Sequence, residues 1–452
     1  MKTHLALFFC LVSGIVLSKP EFDMGADLRV RHEMYDNVPG NPGGGILLNA
    51  VRSKYAGHMR FRPRVWGEVK FGQDGTWRIF TRIVNEMRWY IKPDKNTHTF
   101  PGELLLDNLF IEAHSLFGGL FDFSFGRQDI YALYGLDHIF ADGTPGDGSR
   151  SLFSDMARMT FHLTEDSKLD VFFLYNNDDN IIRCGTDRSS HICMSGLGGG
   201  AEPEMDDMGY GAVYSSKAFG CADYQVFAME KYTSSYHRKG VKYPSARREL
   251  LGFKVVPQLT ENLSLQLEAM GQTGKKSGGG HISAWSSYVG ANWKCEMDSM
   301  RPFAKVGLHM MSGDKNAAEE EGGNHAWDPM WSRAANDSDM FLYGSHYAQA
   351  WWSNMMFLKF SGGLDFGGRR KLTFSSGPVF AHRRDGLGGG SGAFKGLLSA
   401  MKFEFPLLVA DKKAGERLEI LSHVSGELFN PGNYYETEKP GWYARWQLDF
   451  RF

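Results

Sequence analysis

From about residue 25 onward the sequence predicts an all-β chain: one antiparallel sheet of about eighteen strands closed into a transmembrane β-barrel. Three observations carry this expectation. Apolar and polar residues alternate with period two along the whole chain, no helix-period segment is long enough to compete, and the connections between alternating segments are by turns short and long. Composition agrees, because Gly 54 in 452 residues and 14% aromatics suit a large antiparallel sheet better than a helical fold. Lys+Arg 50 against Asp+Glu 52 leaves a formal net charge of −2, which argues against a basic nucleic-acid binder. With 42% hydrophobic and 23% charged residues the chain has apolar material for a core and too little charge for disorder.

The first residues speak to compartment. Lys2 and His4 precede an apolar run from Leu5 to Leu17, and Val16 and Ser18 suit cleavage between Ser18 and Lys19. Residues 1–18 therefore read as a signal peptide and 19–452 as a single exported domain. Cys10 follows Phe9 rather than a small residue, which argues against lipoprotein processing. No later stretch approaches the ~20 consecutive apolar residues of a membrane helix, so an inner-membrane protein is excluded.

The strands read, in order, at about 26–33, 57–71, 76–90, 105–117, 120–127, 154–164, 168–176, 208–217, 221–233, 247–256, 263–273, 281–294, 302–311, 352–366, 371–382, 397–407, 417–429 and 442–452. Residues 60–71 alternate cleanly, whereas Lys168-Leu169-Asp170-Val171-Phe172-Phe173 does so only in part. Turn-like gaps at 72–75, 118–119, 164–167, 218–220, 257–262, 295–301, 367–370 and 409–416 interleave with longer Gly-, Asp- and Asn-rich gaps. The longer gaps lie at 34–56, 91–104, 128–153, 177–207, 234–246, 274–280, 312–351, 383–396 and 430–441, the one at 274–280 being the weak member. Short periplasmic turns, long extracellular loops and an even strand number define an outer-membrane barrel, since only a closed sheet satisfies every backbone group in lipid. The last residues, Trp442 to Phe452, alternate and end on Phe, resembling the terminal strand that barrel assembly machinery recognises. As the edge of a secreted sandwich, so apolar a strand would invite aggregation.

A barrel fixes the facing of each side chain. In the first strand Leu28 and Val30 face lipid, which sends Arg29 and Arg31 inward. In the second, Phe61, Val65, Val69 and Phe71 face out, and Arg60, Arg62, Arg64, Glu68 and Lys70 face in. The third sets Ile79 and Ile83 outward against Arg78, Arg82, Glu86 and Arg88. The sixth sets Ala157, Met159, Phe161 and Leu163 outward against Arg158 and His162. Guanidinium groups stay charged and match carboxylates with a planar fork, so this lumen is expected to draw anions. The competing reading is that lumenal arginines only neutralise nearby acids, as Glu86 does between Arg82 and Arg88.

On these residues the sequence resembles the alginate export porins. The resemblance rests on Leu28-Arg29-Val30-Arg31-His32-Glu33, Arg82-Ile83-Val84-Asn85-Glu86-Met87-Arg88, Phe125-Gly126-Arg127-Gln128, Phe153-Ser154-Asp155-Met156-Ala157-Arg158, Ser312-Gly313-Asp314 with Trp327-Asp328-Pro329-Met330-Trp331, and Phe429-Asn430-Pro431-Gly432. It runs from about residue 26 to the terminus. It implies a monomeric eighteen-stranded barrel in the bacterial outer membrane that passes the polyuronate alginate through a narrow arginine-rich constriction. By motif it marks Arg29, Arg31, Arg82, Glu86, Arg88, Arg127 and Arg158 as the substrate path, to which facing adds Arg62. The chain departs from the pattern in lacking a Gly before Arg158 and in the acidic run Glu319, Glu320 and Glu321. The family also includes general uptake porins.

Elsewhere the residues carry little chemistry. Cys184 and Cys193 lie in one long loop, where a disulfide is plausible in an oxidising compartment, while Cys221 and Cys295 sit three strands apart. Asp178-Asp179, Asp206-Asp207 and Glu319 to Glu321 lack Ca²⁺-loop spacing and read as solvated charge. No catalytic residue, metal or cofactor is expected. The expected function is a passive, anion-selective channel for small anions or anionic oligo- and polysaccharides, working in outer-membrane lipid without nucleic acid. The alternatives are a general sugar or small-solute uptake porin, or a surface barrel acting as adhesin or lipid-modifying enzyme. The 312–351 loop discriminates them, since folded into the pore it is a constriction and standing outward it is a binding surface.

Overall fold

The computed structural model describes residues 19–37, 56–72, 75–92, 99–129, 133–140, 153–176, 207–217, 220, 222–238, 241–297, 299–315, 325–331, 338, 353–384, 389–409, 418–436 and 439–452. Eighteen strands form one sheet: β1 (Glu21–Asp36), β2 (Ala56–Phe71), β3 (Trp77–Lys92), β4 (Thr99–Ser115), β5 (Phe121–Asp129), β6 (Phe153–Thr164), β7 (Ser167–Asn176), β8 (Asp207–Ser216), β9 (Ala222–Thr233), β10 (Ala246–Thr260), β11 (Leu263–Lys276), β12 (His281–Lys294), β13 (Arg301–Met311), β14 (Met355–Asp365), β15 (Lys371–Phe380), β16 (Phe394–Val409), β17 (Glu419–Pro431) and β18 (Gly441–Arg451). Each pairs antiparallel with its sequence neighbours, and β1 closes the ring on β18 from Asp27↔Arg451 to Asp36↔Trp442. A separate two-stranded hairpin, Tyr236–Arg238 with Val241–Tyr243, stands between β9 and β10. No helix among the described residues is long and apolar enough to cross a membrane.

The expected strands are all present, and several run further than their alternation. β4 starts at Thr99 rather than 105, and β10 reaches Thr260 rather than 256. Beyond the bilayer the outer face no longer has to be apolar, so period two fades while ladder pairing continues. The same extension shortens the gap before β4 to 93–98 and the one before β12 to 277–280.

The outer face is apolar where lipid belongs, with Val65 62% and Phe125 58% exposed. In water such a belt would be an aggregation surface; around a closed barrel it is the lipid contact. On β12, Trp285 and Trp293 both point outward, eight residues apart. At ~3.4 Å per residue and a tilt of ~40° they stand roughly 20 Å apart in height, the spacing of two aromatic girdles.

The buried apolar cluster lies inside the ring. It joins lumen-facing residues of the wall, such as Phe172, Phe227, Leu250 and Met311, to Leu136, Ile139 and Phe140 and to Trp327, Met330 and Trp331. The latter two groups belong to the described segments 133–140 and 325–331 of the β5–β6 and β13–β14 connections, which lie inside the ring. The opposite wall, β18 through β3, is charged.

Candidate functional site: the lumenal constriction

Register builds the charged wall. Across the β1–β2 pair Arg29 stands opposite Arg62, Arg31 opposite Arg60 and Glu33 opposite His58. Across β1–β18 the same three residues face Asp449, Gln447 and Arg445. Three rungs on three strands thus hold five guanidinium groups, one imidazole and one amide against two carboxylates. Like charges placed directly opposite each other cost stability, so the wall is not arranged for folding alone.

Its acids are fully engaged. Glu33, completely buried, lies 3.1 Å from Arg31, 2.8 Å from His58 and 3.5 Å from Arg60, and accepts a hydrogen bond from the Tyr443 hydroxyl at 3.1 Å. Arg31 Nε also donates to Gln447 at 2.7 Å, and Arg29 pairs with Asp449 at 3.0 Å. Below them Arg64 donates to both oxygens of Asp27. Arg62 differs. Only 4% exposed, it has no hydrogen bond or ion pair among the described residues, and its Nε is buried without a partner. A buried cation without an acceptor is costly, which makes Arg62 the unspent binding group of the wall.

The other sequence-marked residues separate. Arg82 is locked between Asp107 at 2.8 Å and Asp129 at 2.9 Å, the neutralised arrangement of the competing reading. A bulge in β4 that places Asp107 beside Arg82 makes this clamp. The backbone of Arg88 stands opposite Arg60, and that of Glu86 opposite Glu103; their side chains, with Cys184, Cys193, Cys221, Trp351, Trp352, Glu319 to Glu321, Asp178, Asp179, Asp206 and residues 1–18, lie outside the described residues. Arg158, on β6, stands beside Tyr134 of the inward β5–β6 segment. Arg127 has Leu109 and Asp155 as register partners and is held by Asp155 at 2.8 Å and the Leu106 carbonyl at 3.1 Å, a neutralised arrangement like that of Arg82. Asp207 is likewise no solvated loop charge, being buried at the start of β8 and 3.4 Å from Lys231. Cys295 is a free thiol, partly buried.

Across the lumen two segments narrow the passage. In the first, Leu133–Gly135 and Asp137–Phe140 form two short turns with Tyr134 at φ 58°. Phe140 stacks on Trp331 at 5.3 Å, and the Trp331 backbone N–H donates to the Ile139 carbonyl at 3.0 Å, so the two inward segments brace each other. The second, residues 325–331, is clamped to the wall. Gln272 donates to the Asp328 carbonyl at 2.6 Å and accepts from the Asp328 N–H at 3.1 Å, Arg248 pairs with the Asp328 carboxylate at 3.2 Å, and Lys231 donates to the Met330 carbonyl at 2.5 Å. Ser338, further along this connection, donates to Glu427 of β17 at 2.7 Å. Met330 and Ser338 are thus fixed to β9 and β17, nearly opposite each other on the ring.

Burial alone would raise the Asp328 carboxyl, but Arg248 and then Lys231 outweigh it and hold it below its ordinary value. A depressed carboxyl contributes stability that is fully present above the unfolded value and lost as pH falls through the lower folded one. This clamp therefore holds at neutral and mildly acid pH and yields only in strong acid.

Sequence reasoning found Arg29, Arg31 and Arg62 together and expected the 312–351 connection to fold inward or outward; of it, 325–331 and 338 lie inward. It missed the 133–140 segment, although Leu133, Leu136, Ile139 and Phe140 are an apolar excess in a connection that should otherwise be solvated. It also missed Glu33 as the hub of the wall.

No family model matches the chain, and no curated protein is similar to it in sequence. Several solved structures share its fold. That of Pseudomonas aeruginosa OccK2 (OpdF) in complex with glucuronate is 14% identical, covering 95% of this chain and 98% of that one at a TM-score of 0.52. Pseudomonas aeruginosa OccK11 (OpdR) is 11% identical, covering 95% and 96% at 0.51. A BenF-like porin from Pseudomonas fluorescens Pf-5 is 12% identical, covering 95% and 98% at 0.50. These likenesses show the eighteen-stranded barrel fold. The resemblance to the alginate export porins is carried by its short motifs alone.

Proposed function

We propose that this barrel is a passive outer-membrane channel for small carboxylate-bearing solutes, uronates and related sugar acids among them, which pass along the β18–β1–β2 wall. The observation that carries this reading is Arg62, a buried guanidinium without a hydrogen bond or ion pair among the described residues, on a wall whose arginines outnumber its carboxylates. A solute carboxylate meeting that fork gains a charge-assisted hydrogen bond that the protein does not supply. A neighbouring fold holding glucuronate, a carboxylated sugar, supports the choice of solute. Passage of this kind needs no cofactor and no catalysed step, and a single chain closes the barrel, in keeping with a monomer. The longer polyuronate is the second reading, favoured by the alginate-porin motifs; the two braced inward segments favour the shorter solute.

The test is block of chloride current by glucuronate in a planar bilayer. Glucuronate is expected to block in a concentration-dependent way and glucose not. Arg62→Gln should weaken the block about tenfold, the worth of a charge-assisted hydrogen bond of ~1.5 kcal/mol. Equal block by the neutral sugar, or block unchanged in Arg62→Gln, contradicts the proposal. Stronger block by oligouronates than by glucuronate at equal concentration favours the polymer.

A further inference from the structure

The inward 133–140 segment is pinned to the barrel wall by a buried chain of three polar side chains. His138 Nδ1 lies 2.6 Å from Ser286 Oγ of β12, and His138 Nε2 lies 2.9 Å from His309 Nδ1 of β13. Both rings are buried, and Tyr288 packs against each, its centroid 6.5 Å from His138 and 4.6 Å from His309. This chain takes no part in the arginine wall or in the proposed passage of solutes.

A nitrogen-to-nitrogen contact of this length holds one proton. With both rings neutral, either His138 donates and His309 accepts, or the reverse, and Ser286 serves His138 Nδ1 as donor or acceptor accordingly. One added proton is tolerated, because an imidazolium on either side still donates to a neutral partner. A second is not: both nitrogens then carry hydrogens pointed at each other, and two like charges share one buried site.

The surroundings contain both signs. Asp137 precedes His138, Lys254 of β10 donates to the Gly135 carbonyl, and Glu268 of β11 lies near Lys254 and Asp137. From the other side Lys305 of β13 stands 5.4 Å from the Tyr288 ring, and Lys359 of β14 stands 5.9 Å from the Phe357 ring that stacks on His309. Lys254 thus stands at the His138 segment and Lys305 and Lys359 beside rings that pack on His309, and all three oppose a second charge. Two further described histidines bond at the β13–β14 connection: His382 Nδ1 accepts from the Gly313 N–H at 3.2 Å, and His325 Nδ1 lies 3.1 Å from the Ser283 carbonyl oxygen.

We propose that His138, His309 and Ser286 form an acid-released latch: in acid both histidines become charged, the 133–140 segment leaves the wall, and the passage widens. Trp331 would lose its stacking partner Phe140 and its bond to Ile139 in the same event. The inference rests on the channel reading only for its conductance readout, and a second readout is independent of it.

The experiment follows conductance and iodide quenching of tryptophan fluorescence from about pH 8 to about pH 4, each conductance corrected for bulk conductivity. Wild type is expected to show a step of about twofold in conductance, with a parallel rise in quenching, across the range where histidine titrates. His309→Asn, which accepts from His138 without titrating, should keep the neutral conductance and abolish both steps. His138→Ala should show the acid level at every pH, and His382→Gln should keep the step. His309→Gln repeats the arm if the asparagine variant fails to fold. A wild type without a pH step in either readout, a step unchanged in His309→Asn or Gln, or a step lost in His382→Gln would overturn the latch. Quenching that steps with pH in a barrel that does not conduct supports the latch while sinking the channel reading.

Discussion

Gly209→Ala opens the pore. On β8 this glycine leaves room for the Trp331 ring, and a Cβ in its place would meet Trp331 Cζ2 at 2.2 Å and the Glu230 carbonyl oxygen at 3.0 Å. The carbonyl belongs to the sheet and cannot move, so the indole must. Once the indole shifts, its stack on Phe140 is lost, and the brace between the two inward segments is reduced to the backbone bond from Trp331 to the Ile139 carbonyl. Conductance is expected to rise by about two- to threefold, with the ~1–3 kcal/mol loss of stability typical of overpacking. Conductance in lipid bilayers reads the first quantity and urea unfolding the second. An unchanged conductance would mean that residues 325–331 do not limit the passage.

Glu33→Ala should be the most damaging single change in the charged wall. Glu33 is the shared acceptor of Arg31, His58, Arg60 and Tyr443, and both Arg31 and Arg60 are buried. Removing it takes the shared carboxylate from two buried guanidinium groups beside Arg62, and breaking a buried pair from one side costs roughly 3–5 kcal/mol. Gln at this position keeps an acceptor for one neighbour and should recover part of that loss. Denaturant midpoints of the three proteins in vesicles decide it: equal midpoints would show that lumenal water, not Glu33, neutralises the wall.

Much of this was legible in the sequence because lipid enforces period two. Val65, Ile79 and Ile83 read as outward and are exposed, and the arginines between them read as inward. Legibility failed where the two faces stop differing. In Val171-Phe172-Phe173-Leu174 alternation is blurred because Phe172 and Leu174 face an apolar lumen filled by inward segments, so both faces are apolar. That blur was itself the signal of a packed interior. Arg127 was marked by motif as a free group of the path, whereas Asp155, opposite it across the β5–β6 register, neutralises it. Pairing was hidden for a different reason: Asp107 reaches Arg82 through a bulge, and Glu33 serves residues from three strands, relations set by register rather than by spacing along the chain.

If the β18–β1–β2 wall makes the passage select anions, the reversal potential of single channels under a salt gradient shows it. Wild type is predicted to reverse toward the chloride equilibrium potential, Arg29→Gln/Arg62→Gln to reverse near zero, and Arg127→Ala to match wild type, because Arg127 is neutralised by Asp155. Cation selectivity in the wild type, or selectivity lost in Arg127→Ala and kept in the wall variant, would contradict the account.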